Sequence, residues 1–585
     1  DEVTRTANLF HTLGADKDTV IAYVLPNLPE THFVIWGGQA TGIVAAINPL
    51  LEPEAIVALL NAMNARILVT LASFAGASLW RKLSPEVGRV ASLRHVVLVN
   101  LSERVMKLKS WPTRLRKLRE AMHARPREPS TQPVHLQFHD FNRAMHAQPA
   151  DRLLSGRRID PDDYSSFFCT GGTTGFPKLA MRRHRNEVAN AWSVAQVLGD
   201  GIGPEKNVFC GLPLFHVNGV LVTGLLPFSK GAHVIMGTPQ GYRGEGVLSH
   251  FWGIVEHHQI HFFSAVPTVY SALLDVPRQG HRLDSLQYGL CGAAPMAPEL
   301  FRRFQEQTGL RILEGYGLTE ATCVSSVNPP LGERRVGSVG LRIPGQAMKT
   351  VILDANDAYV RDAADGETGV LAVSGPNVFG GYLNEEHNRA LWLDLGDGKR
   401  WLHTGDLARR DADGYFWLTG RTKELIIRGG HNIDPATIEQ PLYAHPAVAL
   451  AAAVGRPDRH AGELPVAYVQ LKPGAQVDEA QLLAYMESHV AERAAVPKAI
   501  TIIDRMPLTG VGKIYKPELK RMETEHALIR ALAQAGIDVR SVTAEMDSDK
   551  RALRIAVSVT DPGSEREAIK VLGMFPFAYR ITTAA

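Results

Sequence analysis

The stretch that most constrains this chain is Thr170-Gly171-Gly172-Thr173-Thr174-Gly175-Phe176-Pro177-Lys178. An apolar run from Tyr164 to Phe168 leads into it, and a helical pattern follows from about Asn186. Three glycines permit positive φ and close approach of a ligand to the backbone. Three threonines add hydroxyls, and Lys178 adds a point charge. Exposed N–H groups ending in a cation make a phosphate cradle. No Gly-Lys-Ser/Thr closes the loop, so it is not a Walker A loop. A plain Gly/Thr hairpin turn is the alternative, and the terminal lysine favours phosphate.

The surroundings read as layered α/β. Thr19 to Leu25 and Ile43 to Asn48 are strand-like, as are Arg66 to Thr70 and Arg94 to Asn100. Pro29 to Gly42 and Glu52 to Asn64 are helical. This alternation predicts a mostly parallel sheet with helices on its faces. The 585 residues suggest about four domain-sized units, and 45% apolar with 21% charged residues can bury large cores. A net charge of +3 is too weak to imply a nucleic-acid partner. Cys169, Cys210, Cys291 and Cys323 show no CxxC spacing or disulfide framework, which fits a reducing compartment. No apolar run reaches the ~18 residues of a membrane span, and no signal peptide is visible. The chain therefore reads as cytoplasmic. Without an initiator methionine, it reads as starting inside a folded pattern.

A basic insertion near residues 101–150 departs from the layered pattern. Between Arg104 and Arg127 basic residues are interleaved with Leu108, Trp111, Leu115, Leu118 and Met122. The stretch suits either a solvated helix or a peripheral contact with an anionic membrane. His216, in Leu212-Pro213-Leu214-Phe215-His216-Val217-Asn218-Gly219, is equally a pocket wall or a structural histidine. His257, His258 and His261 have metal-like spacing but no fourth ligand nearby. Cys291-Gly292-Ala293-Ala294-Pro295 is a small-residue turn where a flat ring could lie on backbone, or simply a turn.

Glu314-Gly315-Tyr316-Gly317-Leu318-Thr319-Glu320 packs an aromatic, glycines, a hydroxyl and carboxylates together, and its carboxylate suits Mg²⁺. Residues 331–420 read as short strands with Gly/Pro/Asp turns, a β-rich unit holding His403-Thr404-Gly405-Asp406. Asp406 could accept from two ribose hydroxyls or cap its own turn. A charged-then-apolar pattern opens at Arg421, with Lys423, Gly429 and Gly430 close behind. A smaller α+β unit follows to about Lys520, carrying Lys513 on a glycine-flanked loop that by itself suggests a surface lysine. Residues 521–585 read as α-β-β-α-β, a regulatory or dimer module or a brace for the preceding unit.

Taken in order, TGGTTGFPK, LPLFHVNG, CGAAP, EGYGLTE, HTGD, GRTKELI and PLTGVGK resemble the adenylate-forming superfamily of acyl- and aryl-CoA synthetases, luciferases and adenylation domains. The resemblance spans roughly residues 18–520. It implies a large N-terminal domain (1–420) of two stacked parallel-type α/β subdomains with a β-rich barrel-like subdomain. A small mobile α+β lid (421–520) would follow, and then the extension 521–585. It implies ATP, Mg²⁺, coenzyme A and a carboxylic acid as cofactors and substrates. By resemblance Thr170, Thr173, Thr174, Lys178 and Thr319 contact phosphate, with Gly171, Gly172 and Gly175 in the same loop. Glu320 holds Mg²⁺, and Asp406 and Arg421 take the ribose. Gly292, Ala293, Ala294, Glu314, Gly315, Tyr316 and Gly317 correspond to the adenine pocket and its surroundings. Lys513 bridges the carboxylate and the α-phosphate, with His216 on the acid's side. Lys423 is the hinge, and Gly429 and Gly430 face CoA.

The implied reaction makes acyl-AMP and pyrophosphate, and then passes the acyl group to a thiol. Three departures stand out: Leu179 where glycine is usual, Val370 inside a Gly-Glu-Leu-like segment, and Glu424 for aspartate. The LPLFHVNG stretch has no acid to hold an ammonium, so an amino acid is disfavoured. Gly317 stands where acetate-activating relatives carry tryptophan, which suggests a deeper pocket for a medium, long or bulky acid. Aryl acids resembling 4-coumarate, a carrier-protein acceptor and an inactive scaffold are the alternatives.

Overall fold

The structure is a computed structural model. It describes residues 1–73, 79–101, 135–170, 177–278, 280–354, 356–421, 424–429, 431–490, 492–547, 552–575 and 577–583. Most of the basic insertion, residues 102–134, thus lies outside the described residues, as do Gly171 to Phe176, Lys423 and Gly430.

Two large sheets face one another. The first has eight strands, ordered Gly381–Tyr382, Lys178–Arg183, Tyr164–Thr170, Ile43–Ala46, Val20–Val24, Ile67–Leu71, His95–Val99 and Gln137–Asp140. The six strands from Tyr164–Thr170 onward pair in parallel. Val20–Val24 is buried at every position, as befits a parallel strand covered on both faces. The second sheet, with seven strands, holds Asn207–Cys210, Ile260–Ala265, Tyr288–Cys291 and Arg311–Tyr316 in parallel neighbourhood. Helices Pro29–Thr41 and His184–Leu198 and the π-helix Asn218–Leu225 contribute to a shared core with residues of both sheets, including Tyr23, Val194, Val220 and Phe262. Proline at the first turn of Pro29–Thr41, Pro53–Ala62 and Pro298–Thr308 presets φ where no intrahelical N–H bond is lost.

The chain then builds a six-stranded antiparallel sheet, a five-stranded sheet with its own core around Ile426, Leu442 and Val469, and a three-stranded sheet at the end. The end unit runs helix, strand, strand, helix, strand, in the order its sequence pattern predicts. No linker marks residue 520. Helix Lys516–Gln534 runs straight through, with Leu519 in one core and Leu528 and Leu532 in the next.

The helical pattern expected from about Asn186 is helix His184–Leu198. Lys178–Arg183 is a strand, antiparallel to Tyr164–Thr170, and helix His184–Leu198 follows it. Thr170 and Lys178 stand opposite each other at the ends of these two strands. Leu179 is 5% exposed and belongs to the core beneath the sheet.

Candidate active site

The fold collects groups that lie as far apart in the sequence as Lys178 and Lys513. Lys178 leaves the hairpin with its Nζ 4.7 Å from the centroid of the Tyr382 ring. The Tyr382 hydroxyl donates to Glu320 Oε1. Glu320 and Thr319 sit in the short 3-10 turn Thr319–Ala321, just after strand Arg311–Tyr316. Tyr382 was not singled out from the sequence. Its only signal is the Phe-Gly-Gly-Tyr run in which Gly381 adopts φ +134°. Among the described residues no group of three or more His, Cys, Asp or Glu side chains is placed to cage a metal. A lone carboxylate suits a cation that keeps waters and phosphate oxygens as its other ligands.

Asp406 lies on the long strand Trp401–Arg410, 4% exposed. Its Oδ2 accepts from the Tyr316 hydroxyl at 2.5 Å, and its Oδ1 is 2.9 Å from Arg421 Nε. The antiparallel register that pairs Asp406 with Arg421 sets that contact. Burial, followed by the neighbouring carboxylate, drives the Tyr316 hydroxyl well above the usual tyrosine range, so it stays a donor. Arg421 is held charged chiefly by Asp406.

Lys513 arrives from the five-stranded unit. Its loop is pinned from within, where Lys513 N–H donates to Thr509 Oγ1 at 3.1 Å and Thr509 N–H to Lys513 O at 2.7 Å. It is also pinned from the large domain, where Thr268 Oγ1 donates to Gly512 O at 2.9 Å. Gly512 has φ +84°, and a Cβ there would lie 3.3 Å from Thr268 Oγ1. A Cβ on Gly510 would lie 3.7 Å from Phe215. This docking puts the ammonium in the field of Arg421, Asp406, Glu424 and Glu320. Burial and then Arg421 lower its pKa to about 8, against the three carboxylates. His216 faces the same space. Burial and then Lys513 lower its pKa to about 3, so the imidazole is neutral at working pH.

The turn after strand Tyr288–Cys291 lies beside Gly315, since a Cβ on Gly292 would meet Gly315 O at 3.4 Å. Ala293 holds φ +72°, a costly conformation for a residue with a Cβ. Glu314 is 2% exposed, and its Oε1 accepts the Met296 N–H at 2.9 Å, tying the turn to the neighbouring strand. Burial raises its pKa to about 8.

Gly317 does not open extra depth in this state. A Cβ there would lie 1.6 Å from Cys323 O, so the chain's own backbone fills the space. Gly429 bonds within the small unit, donating to Ala461 O at 2.7 Å. Lys516 was missed by sequence reasoning. It sits 2.7 Å from Glu439 and 3.8 Å from Glu424, which is itself 3.9 Å from Arg421.

Comparison with known proteins identifies the family. Residues 1–383 match the AMP-binding enzyme family and residues 437–513 the AMP-binding enzyme C-terminal domain. A marinolic acid–CoA ligase of Pseudoalteromonas sp. is 39% identical over 556 residues, covering 93% of this chain and 78% of that protein. A long-chain-fatty-acid–CoA ligase of Bacillus subtilis is 32% identical over 528 residues, covering 88% of each. Among solved structures, an anthranilate CoA ligase in complex with anthranoyl-AMP superposes with a TM-score of 0.73 at 24% identity, covering 91% of this chain and 92% of that one. The chain belongs to the AMP-binding enzyme family, in its acyl-CoA synthetase branch.

Proposed function

We propose that this chain is an ATP-dependent acid–CoA ligase acting on a medium, long or bulky carboxylic acid. The observation that carries the reading is the delivery of Lys513 to Arg421, Asp406 and Glu320 by a loop docked on Thr268. In-line attack of a carboxylate on an α-phosphate needs positioning and charge stabilisation more than proton transfer. Asp406 and Arg421 orient the ribose, and Tyr316 with the 292–294 turn holds the adenine. Lys178 and Thr319, with the glycine loop, hold phosphate. Lys513 draws the substrate carboxylate and the α-phosphate together. Glu320 would hold Mg²⁺, which supplies charge neutralisation to the departing pyrophosphate. CoA thiolate then attacks the acyl-AMP carbonyl and AMP leaves, after the unit from Arg421 onward turns about Lys423 and brings Gly429 and Gly430 to the thiol.

An acid without an ammonium group is supported by the neutral His216 and by the absence of any acid in the LPLFHVNG stretch. The names of the relatives, ligases of marinolic and long-chain fatty acids, support a bulky one. ATP–pyrophosphate exchange with a panel of fatty, hydroxylated and aryl acids tests the reading. Exchange with a bulky acid, followed by CoA thioester formation, is expected. No exchange with any acid overturns it.

A further inference from the structure

Arg182 is wholly buried, at 0% exposure, on the strand that leaves the phosphate-loop hairpin. Its Nη2 lies 3.1 Å from Glu187 Oε1, and its Nε donates to Ser166 Oγ at 3.0 Å. Its Nη1 donates to the carbonyl of Thr322 at 3.0 Å, and the guanidinium lies 3.9 Å from the centroid of the Phe168 ring. Glu187 is satisfied in turn by Ser165, Ser166 and Gln39. A buried ion pair is a poor source of stability, because desolvating two charges offsets their attraction, and well-packed apolar residues often serve as well. What the pair does supply is geometry.

The contact with Thr322 is the informative one. Thr322 lies two residues beyond Glu320 and holds φ +70°, in the left-handed region that a β-branched residue disfavours. Neighbours hold the turn there. Arg182 takes the Thr322 carbonyl, Thr322 Oγ1 donates to Asn377 O at 2.6 Å, and Asn377 Nδ2 donates to Ala321 O at 3.1 Å. The contacts close a ring. From Lys178 it follows one strand to Arg182, crosses to Thr322, returns through the turn to Glu320, and goes by way of Tyr382 back to Lys178.

We propose that Arg182, with Glu187 as its counter-charge, is a positioning residue that fixes the Glu320 turn against the Lys178 hairpin and thereby sets the gap in which a metal–triphosphate is gripped. This rests on the function proposed above. The test replaces both charges together, R182M/E187M, and measures ATP affinity by calorimetry with and without Mg²⁺. The variant should melt within a few degrees of wild type, as apolar substitution of a buried pair allows. Its Mg²⁺-dependent gain in ATP affinity should fall about tenfold. The same double change in an E320Q background should add little, because both act through one carboxylate. Thioester formation from preformed acyl-AMP should stay within about twofold of wild type.

A folded R182M/E187M protein with an unchanged Mg²⁺ effect overturns the proposal, and so does an undiminished effect in the E320Q background. If the double variant does not fold, R182K serves. One ammonium cannot span Ser166, Thr322 and Glu187, so the Mg²⁺ effect should still drop, and a wild-type effect there is equally fatal. Wild-type protein that exchanges with no acid would sink the ligase reading instead. Because the ATP-binding readout does not depend on the acid, the two failures are distinguishable.

Discussion

Raising the pH should silence the first half-reaction through Lys513 while sparing the second. The ammonium stands among Arg421 and three carboxylates, and burial with Arg421 brings its pKa from 10.5 to about 8. Because kcat/KM for ATP reports the free enzyme, its alkaline limb should fall near pH 8. Half the lysines are charged at that pKa and about one in eleven a unit above it, so adenylation should fall about fivefold between pH 8 and pH 9 and about tenfold more by pH 10. The assay is pyrophosphate exchange at subsaturating ATP, beside thioester formation from preformed acyl-AMP as the internal control. Lys513→Arg keeps the charge at every pH in this range. It should be slower than wild type, since the fork does not match the ammonium, but its profile should be flat where wild type declines. Wild type without a limb, or the same limb in Lys513→Arg, would refute the assignment of this titration to Lys513.

Three further outcomes follow from the same geometry. Glu314 has a folded pKa of about 8 against 4.5, so it binds a proton in the folded state that the unfolded chain has released. Its stabilising protonation is complete below pH 4.5 and lost by pH 8, a change on the order of 5 kcal/mol. Denaturant titrations should therefore show Glu314→Gln losing less stability than wild type across that window, and parallel slopes would exclude the raised pKa. Gly512→Ala must place a Cβ at φ +84° and 3.3 Å from Thr268 Oγ1, which costs about 1 kcal/mol of the docked state and slows exchange about fivefold. Thioesterification should be unaffected, and equal loss in both steps would count against the docked lysine loop. Removing residues 536–585 strips the apolar partners from Leu528 and Leu532 on a helix that also carries Leu519 and Glu523. At about 1.5–3 kcal/mol per leucine, the truncated protein should melt well below wild type in calorimetry, whereas an unchanged Tm would mean that the tail folds apart from that helix.

The seven ordered motifs made the family and the layered α/β class legible in the sequence and named the candidates for the site. Local patterns also carried far. All-apolar runs such as Val20–Val24 became parallel strands, and the tail's alternation became its three-stranded sheet. These features are legible because they depend on near neighbours: side-chain period, proline at a first turn, glycine at positive φ. The strand Lys178–Arg183 after the glycine loop carries no such local signal, and only its pairing with Tyr164–Thr170 reveals it.

What the sequence could not supply is what comes from contact across long separations. A lysine that looked like a surface residue becomes one with a pKa near 8 because a loop 244 residues from Thr268 docks there. Tyr382 gains meaning only beside Lys178 and Glu320, and Lys516 only beside Glu424 and Glu439. Gly317 was read as room for substrate, but the Cys323 carbonyl already occupies that room. Arg182 reads on the chain as one of three nearby arginines, and the fold buries it against Glu187 and the Thr322 carbonyl. Desolvation and Coulomb interaction depend on distance in space, so sequence can name the groups while the tertiary structure sets their charge states and their spacing.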